Sequence, residues 1–155
     1  MTSPCRSIQA VSQIKTRSSV EIDVPAASAW AVIADFSRNP EWQRGMKACQ
    51  WVTEPPLAVG SRYEQRASFL GREIRSLFEV VELEPGRRVS IDTIEGTFPI
   101  TVTRSVEAAG DGCVVTAEVS GDAGGIFGIL SPLMRPLVKR SVDGDYARLK
   151  RLLEI

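Results

Sequence analysis

The chain of 155 residues contains no histidine. That absence excludes a Ser/His/Asp or Cys/His triad and any metal site that needs imidazole. Acid–base work near neutral pH would fall to a shifted carboxylate, a tyrosine, a lysine or a cysteine. Cysteine is scarce. Cys5, Cys49 and Cys113 are far apart and odd in number, so they spell neither a disulfide framework nor a zinc ribbon. Free thiols in a reducing cytoplasm are the simplest expectation. Net charge is missing too: 19 basic and 19 acidic residues cancel, which argues against a general nucleic-acid binder. No apolar run is long enough to cross a bilayer. The opening residues, MTSPCRSIQAVSQIKT, hold no apolar stretch of signal-peptide length. No metal site and no cofactor are expected.

What is present is the composition of an ordinary globule, 43% hydrophobic and 25% charged. A chain of this length buries roughly 70% of its unfolded surface in one domain and needs no covalent staples. Residues 1–17 read as a flexible lead-in and 18–155 as a single domain.

Hydrophobic period organises that domain. SSVEIDV (18–24) sets Val20, Ile22 and Val24 against Ser19, Glu21 and Asp23, as a half-buried strand does. PAASAWAVIADF follows, with Trp30, Ile33 and Ala34 on one face of a short helix. Residues 46–54, 61–70, 72–84, 87–95, 97–108 and 113–121 then return to period two, separated by Pro55-Pro56, Gly71, Pro85-Gly86, Gly96 and the AGDG turn. GDAGGIFGILSPLMRP is rich in glycine and proline yet strongly apolar. From Leu137 the period becomes helical, and Val138, Val142, Tyr146, Leu149 and Leu153 form one stripe. The order predicts an antiparallel meander that curls around a long C-terminal helix, a seven-stranded α+β fold with short helices between strands 1 and 2. Gly144 interrupts the helix either for a close approach or at a tolerated cost of about 1 kcal/mol.

Alternation puts Tyr63, Gln65, Phe69, Ile74, Ser76, Phe78, Val89, Ile91, Phe98, Ile100 and Val102 on the concave face. Polar Tyr63, Gln65, Ser76, Thr93 and Arg104 share that phase. A buried polar group needs a partner, so these residues either bond one another or await a ligand. Arg104 is either a strand-end residue that reaches solvent or a counter-charge for a carboxylate or phosphate head group. Between helix and second strand lies DFSRNPEWQRG (35–45), which mixes Phe36 and Trp42 with Asp35, Arg38, Glu41 and Arg44. Asp35 and Glu41 read as turn and cap residues, and the two aromatics as a plug that also borders a cavity mouth.

The ordered set SSVEIDVPAASAWAVIADF, NPEW, PLAVGSRYE, FEVVELEPGRRVSI and YARLKRLLE, spread over residues 18–154, resembles the START-like superfamily, also called SRPBCC or helix-grip. Within it, the chain looks like the bacterial polyketide cyclase/dehydrase and lipid transport group. The resemblance implies a cavity between curled sheet and C-terminal helix for a hydrophobic or amphipathic small molecule. Its expected lining is Phe36, Trp42, Tyr63, Gln65, Phe69, Ser76, Phe78, Ile91, Phe98, Ile100, Met134, Leu137, Val138 and Ser141. Binding or transport of a lipid-like or polyketide-like ligand is the leading expectation. A cyclase/aromatase-type enzyme is the alternative, with Tyr63 and Arg104 as candidate catalytic groups and Glu95 or Asp92 in support. A third reading is a protein-interaction module that uses residues 124–136 to touch a partner or, transiently, a membrane. A cytoplasmic monomer or weak homodimer is expected.

Overall fold

In a computed structural model of the chain, the structure describes residues 13–69, 71–97, 99–122 and 135–155. Seven strands form one antiparallel sheet: β1 (Gln13–Ile22), β2 (Met46–Trp51), β3 (Arg62–Phe69), β4 (Arg72–Glu84), β5 (Arg88–Gly96), β6 (Ile100–Ala109) and β7 (Gly112–Asp122). Helix α1 (Ala26–Ile33) and a 3-10 helix (Phe36–Glu41) connect β1 to β2, and α2 (Arg135–Leu153) closes the chain. This is the curled sheet with a C-terminal helix expected from the sequence. The spatial order β1-β7-β6-β5-β4-β3-β2 is a meander whose first strand returns beside its last.

β1 starts earlier than the apolar alternation indicates, at Gln13 rather than residue 18, so residues 13–17 belong to the sheet and not to a lead-in. The reason is chemical. The inward positions at this end are Thr16 and Ser18, both buried, and a polar inward face leaves no hydrophobic signature. The Ser18 hydroxyl bonds the Asp143 carboxylate on α2, which satisfies one of these polar groups.

The curl has local causes. Register shifts occur on β2 between Met46 and Ala48, and in the β4–β5 pairing at Leu77/Phe78 and Val80/Glu82. Such bulges bend a strand and raise its twist. The β6–β7 hairpin closes on the pair Ala109–Gly112, and Gly110 there has φ +61°, a left-handed conformation suited to glycine. At Gly112 a Cβ would meet the Ile22 carbonyl oxygen at 2.6 Å, so the start of β7 passes the end of β1 at backbone distance.

Inward residues continue in register across the sheet: Tyr63 beside Phe78, Gln65 beside Ser76, Ile91 beside Val102, Arg104 beside Ala117 and Val115 beside Val20. They build two clusters. One joins Ile22, Ile33, Trp42, Val115, Tyr146 and Leu149 between α1, β1, β7 and α2. The other joins Phe36, Tyr63, Phe78, Val80, Val89 and Ile91 on the central strands. The helical stripe is as expected: Tyr146 and Leu149 are buried, and Val142 and Leu153 pack against the first cluster.

Gly144 is not a contact point. A Cβ built there has no described heavy atom within 4 Å. Gly144→Ala should therefore stabilise the protein by about 0.5–1 kcal/mol through helix propensity and a less flexible unfolded chain. In urea titration the midpoint should rise with an unchanged slope.

Candidate functional site

The residue that organises the site is Arg104, on β6. It is only 2% exposed, so it is not the solvent-reaching strand-end residue that its type suggests. The 35–45 stretch encloses it. Asp35 caps the 3-10 helix, accepting from Ser37 N at 3.1 Å and from Trp51 Nε1 at 3.0 Å. That cap fixes the start of a turn that carries Phe36, Asn39, Trp42 and Gln43 around the guanidinium. Arg104 Nη1 donates to Ile33 O at 2.9 Å and to Asn39 Oδ1 at 3.0 Å, and Nη2 donates to Gln43 Oε1 at a long 3.4 Å. The guanidinium carbon lies 4.2 Å from the Phe36 ring centroid and 4.9 Å from that of Trp42. Both rings offer their π-electrons to a desolvated cation, where this attraction is strongest.

Helix α2 holds the enclosing turn in place. The Asp145 carboxylate accepts from Arg44 N at 3.1 Å and pairs with Arg148, whose Nε donates to Trp42 O at 3.1 Å. Trp42 also packs edge-on against Tyr146, centroids 4.8 Å apart. Burial raises the Asp145 carboxyl above its ordinary 3.8, outweighing the Arg44 amide and the Arg148 guanidinium. Asp35 runs the other way. Burial alone would raise it, but Ser37, Trp51 and Arg38 together hold it below the usual carboxylate value. Asp35 and Glu41 are thus cap and turn residues, Glu41 paired with Arg38 at 2.8 Å, and form no carboxylate dyad.

Beside Arg104 lies a cavity of about 230 Å³. β3 and β4 contribute Tyr63, Gln65, Ala67, Ile74, Ser76 and Phe78. β5 to β7 contribute Ile91, Ile100, Val102, Arg104, Ala117 and Val119. α2 contributes Val138, Ser141, Val142, Asp145 and Tyr146, the turn adds Asn39, Gln43 and Gly45, and β2 adds Met46. Of the residues expected to line it, Tyr63, Gln65, Ser76, Phe78, Ile91, Ile100, Val138 and Ser141 do so. Phe98 and Met134 lie outside the described residues, as do the side chain of Phe69 and most of the apolar segment 124–136.

Three expected lining residues stand elsewhere. Phe36 is 0% and Trp42 1% exposed, and neither borders the cavity; their faces are spent on Arg104 and on neighbouring rings. They plug the core behind the cavity rather than frame its mouth. Leu137, in the first turn of α2, is 56% exposed and does not line the cavity. The sequence reading also missed Asn39, Gln43 and Asp145. For Asn39 and Gln43 the signal was the clustering of amide side chains with two aromatics in one short turn; Asp145 lies on the helix beside the buried Tyr146.

The acid–base candidates are held away from neutral pH. Tyr63 is stacked between Phe36 and Phe78, at 4.9 and 5.2 Å, and burial pushes its phenol well above the usual value despite the nearby Arg104 charge. Burial likewise raises the Cys49 thiol to about 11, against the pull of Arg104. Asp92 is engaged outside the cavity by the Thr101 hydroxyl at 2.6 Å, and Glu95 is exposed. Thr93 bonds the Ile100 backbone and is not part of the lining. Among the described residues no His/Cys/Asp/Glu group is placed to hold a metal ion.

Two tests follow from this geometry. Trp42→Ala should cost about 3–5 kcal/mol in urea denaturation, the range for a fully packed aromatic. The Asp145 pKa is raised on folding, so its contribution to stability is full below the unfolded value and is lost as pH rises through the folded one. The stability of wild type relative to Asp145→Asn should therefore increase as pH is lowered from about 7 towards about 4.

Among curated proteins, none matches the chain. Solved structures do. A START superfamily protein from Mycobacterium smegmatis superposes with a TM-score of 0.78 at 13% identity, over 91% of this chain and 97% of that one. A protein from Thermus thermophilus gives 0.74 at 18% identity, over 90% and 96%. A major latex-like protein from Panax ginseng gives 0.72 at 14%, over 92% and 98%. These likenesses establish the fold. The sequence itself matches a family model from residue 13, where β1 begins, to residue 154, where α2 has just ended, and the chain belongs to that family, described as polyketide cyclase/dehydrase and lipid transport.

Proposed function

We propose that the protein binds a hydrophobic or amphipathic small molecule in the cavity between its sheet and α2. The observation that carries this reading is the wall itself: apolar side chains from six strands and a helix, interrupted by a few placed polar groups. That is the general make-up of small-molecule sites. The family description, which includes lipid transport, supports it.

A cyclase-type reaction is the second reading, favoured by the presence of Tyr63 and Arg104 in the same wall. The high phenol pKa of Tyr63 weighs against proton transfer at neutral pH and for a positioning role.

The binding reading is tested with N-phenyl-1-naphthylamine, a neutral probe that brightens in apolar surroundings. Its fluorescence should saturate at one probe per chain. Val138→Trp, which fills the helix side of the cavity, should weaken binding by about tenfold or more, while far-ultraviolet circular dichroism stays unchanged. Equal binding by both proteins would place the probe elsewhere and sink the reading.

A further inference from the structure

The charge in the cavity wall does not balance. Among the described lining residues there is one base, Arg104, and one acid, Asp145. No salt bridge joins them, although the Arg104 charge acts on the Asp145 carboxyl: Asp145 is engaged by Arg148 and the Arg44 amide, and the described hydrogen-bond partners of Arg104 are neutral, namely a carbonyl oxygen, two amide oxygens and the Tyr146 hydroxyl. Counting Arg104, Arg148 and Asp145 together leaves one positive charge on the cavity side of the core. A buried charge is tolerated when it is paired or well bonded. The two π-faces and these neutral acceptors stabilise this cation but do not neutralise it.

The hydrogen bonds of Arg104 are also unevenly spread. Nη1 has two good acceptors and Nη2 a long 3.4 Å contact to Gln43, while the Tyr146 hydroxyl also accepts from the guanidinium. Nε, although buried, has no partner among the described residues, and Trp42 Nε1 is likewise unpartnered. Nε and Nη2 are neighbouring donors on one edge of the guanidinium, the edge that matches the two oxygens of a carboxylate. Gln43, which lines the cavity, makes the Nη2 contact.

Resting on the small-molecule reading above, we infer that the ligand is a compact monocarboxylate whose acid group neutralises Arg104 by taking the place of Gln43 at its Nε–Nη2 edge. The single uncompensated charge favours a monoanion over a dianionic phosphate. The volume limits the rest of the molecule. A cavity of about 150 Å³ holds a benzene ring, so 230 Å³ suits an acid with an apolar part about the size of two fused rings rather than a long acyl chain.

The test compares two probes of similar shape, naphthalene-2-carboxylate and the neutral 2-acetylnaphthalene, by titration calorimetry on the full chain. Wild type should bind the carboxylate about tenfold or more tighter than the ketone, as expected for hydrogen bonds to a charged group. In Arg104→Gln the two should come within about twofold of each other, with the ketone still bound. In wild type, the Arg104 Nε–H resonance should shift on adding the carboxylate and stay in place with the ketone; this reading does not depend on whether the variant folds. Equal affinities in wild type, or an unmoved Nε–H, would overturn the charge assignment and leave the cavity reading standing. A preference that survives in folded Arg104→Gln would overturn the role of Arg104. Failure of both probes to bind would overturn the inference and the cavity reading together.

Discussion

Keeping one guanidinium inside the protein is the constraint around which the rest is arranged. A buried arginine needs acceptors for its donors and something other than water around its charge. Here the acceptors come from the end of α1 (Ile33 O), from the 3-10 turn (Asn39) and from the residue after Trp42 (Gln43). The surroundings are two aromatic faces from the same turn. Three otherwise unrelated features of the connection between β1 and β2 thus have one cause. The helix must stop at Ile33 so that its carbonyl is available. The turn must be tight enough to bring residues 36, 39, 42 and 43 to one centre, which the Asp35 cap and Pro40 enforce. Its aromatics must face inward although the turn crosses the surface.

The same constraint links the turn to the C-terminal helix. A cage that faces a cavity needs support from the far side. α2 supplies it through Asp145 and Arg148, which hold the backbone at Arg44 and Trp42, and through Tyr146, which packs on the Trp42 ring. α2 therefore both walls the cavity and locks the turn that surrounds Arg104, the one basic group among the described lining residues.

Much of the fold was legible because it rests on period. Alternation located six of the seven strands to within a few residues, and the i, i+4 stripe located α2, since each buries an apolar face that composition cannot hide. β1 was legible only in its apolar half; Thr16 and Ser18 face inward without being hydrophobic, because Ser18 meets Asp143 rather than a methyl group. The site was half legible for a related reason. Phase put Tyr63, Gln65, Ser76, Phe78 and Arg104 on the inner face, and phase was right. Residue type then misled: arginine is seldom buried, and an aromatic pair in a polar turn suggests a mouth. Only the tertiary meeting of the two shows that each explains the other.

Composition hides the electrostatics in the same way. Equal numbers of acids and bases make the chain neutral as a whole, yet neutrality on a surface is an average over solvated pairs such as Arg38–Glu41, Arg62–Glu79 and Lys150–Glu154. Those pairs sit in high dielectric and contribute little each. Arg104 lies where water does not screen it, so one unbalanced charge there outweighs a score of balanced ones outside in deciding what enters the cavity. Selectivity in such a site arises from the penalty that mismatched ligands incur: a neutral molecule leaves the charge and the Nε donor unanswered, and a dianion replaces one uncompensated charge with another.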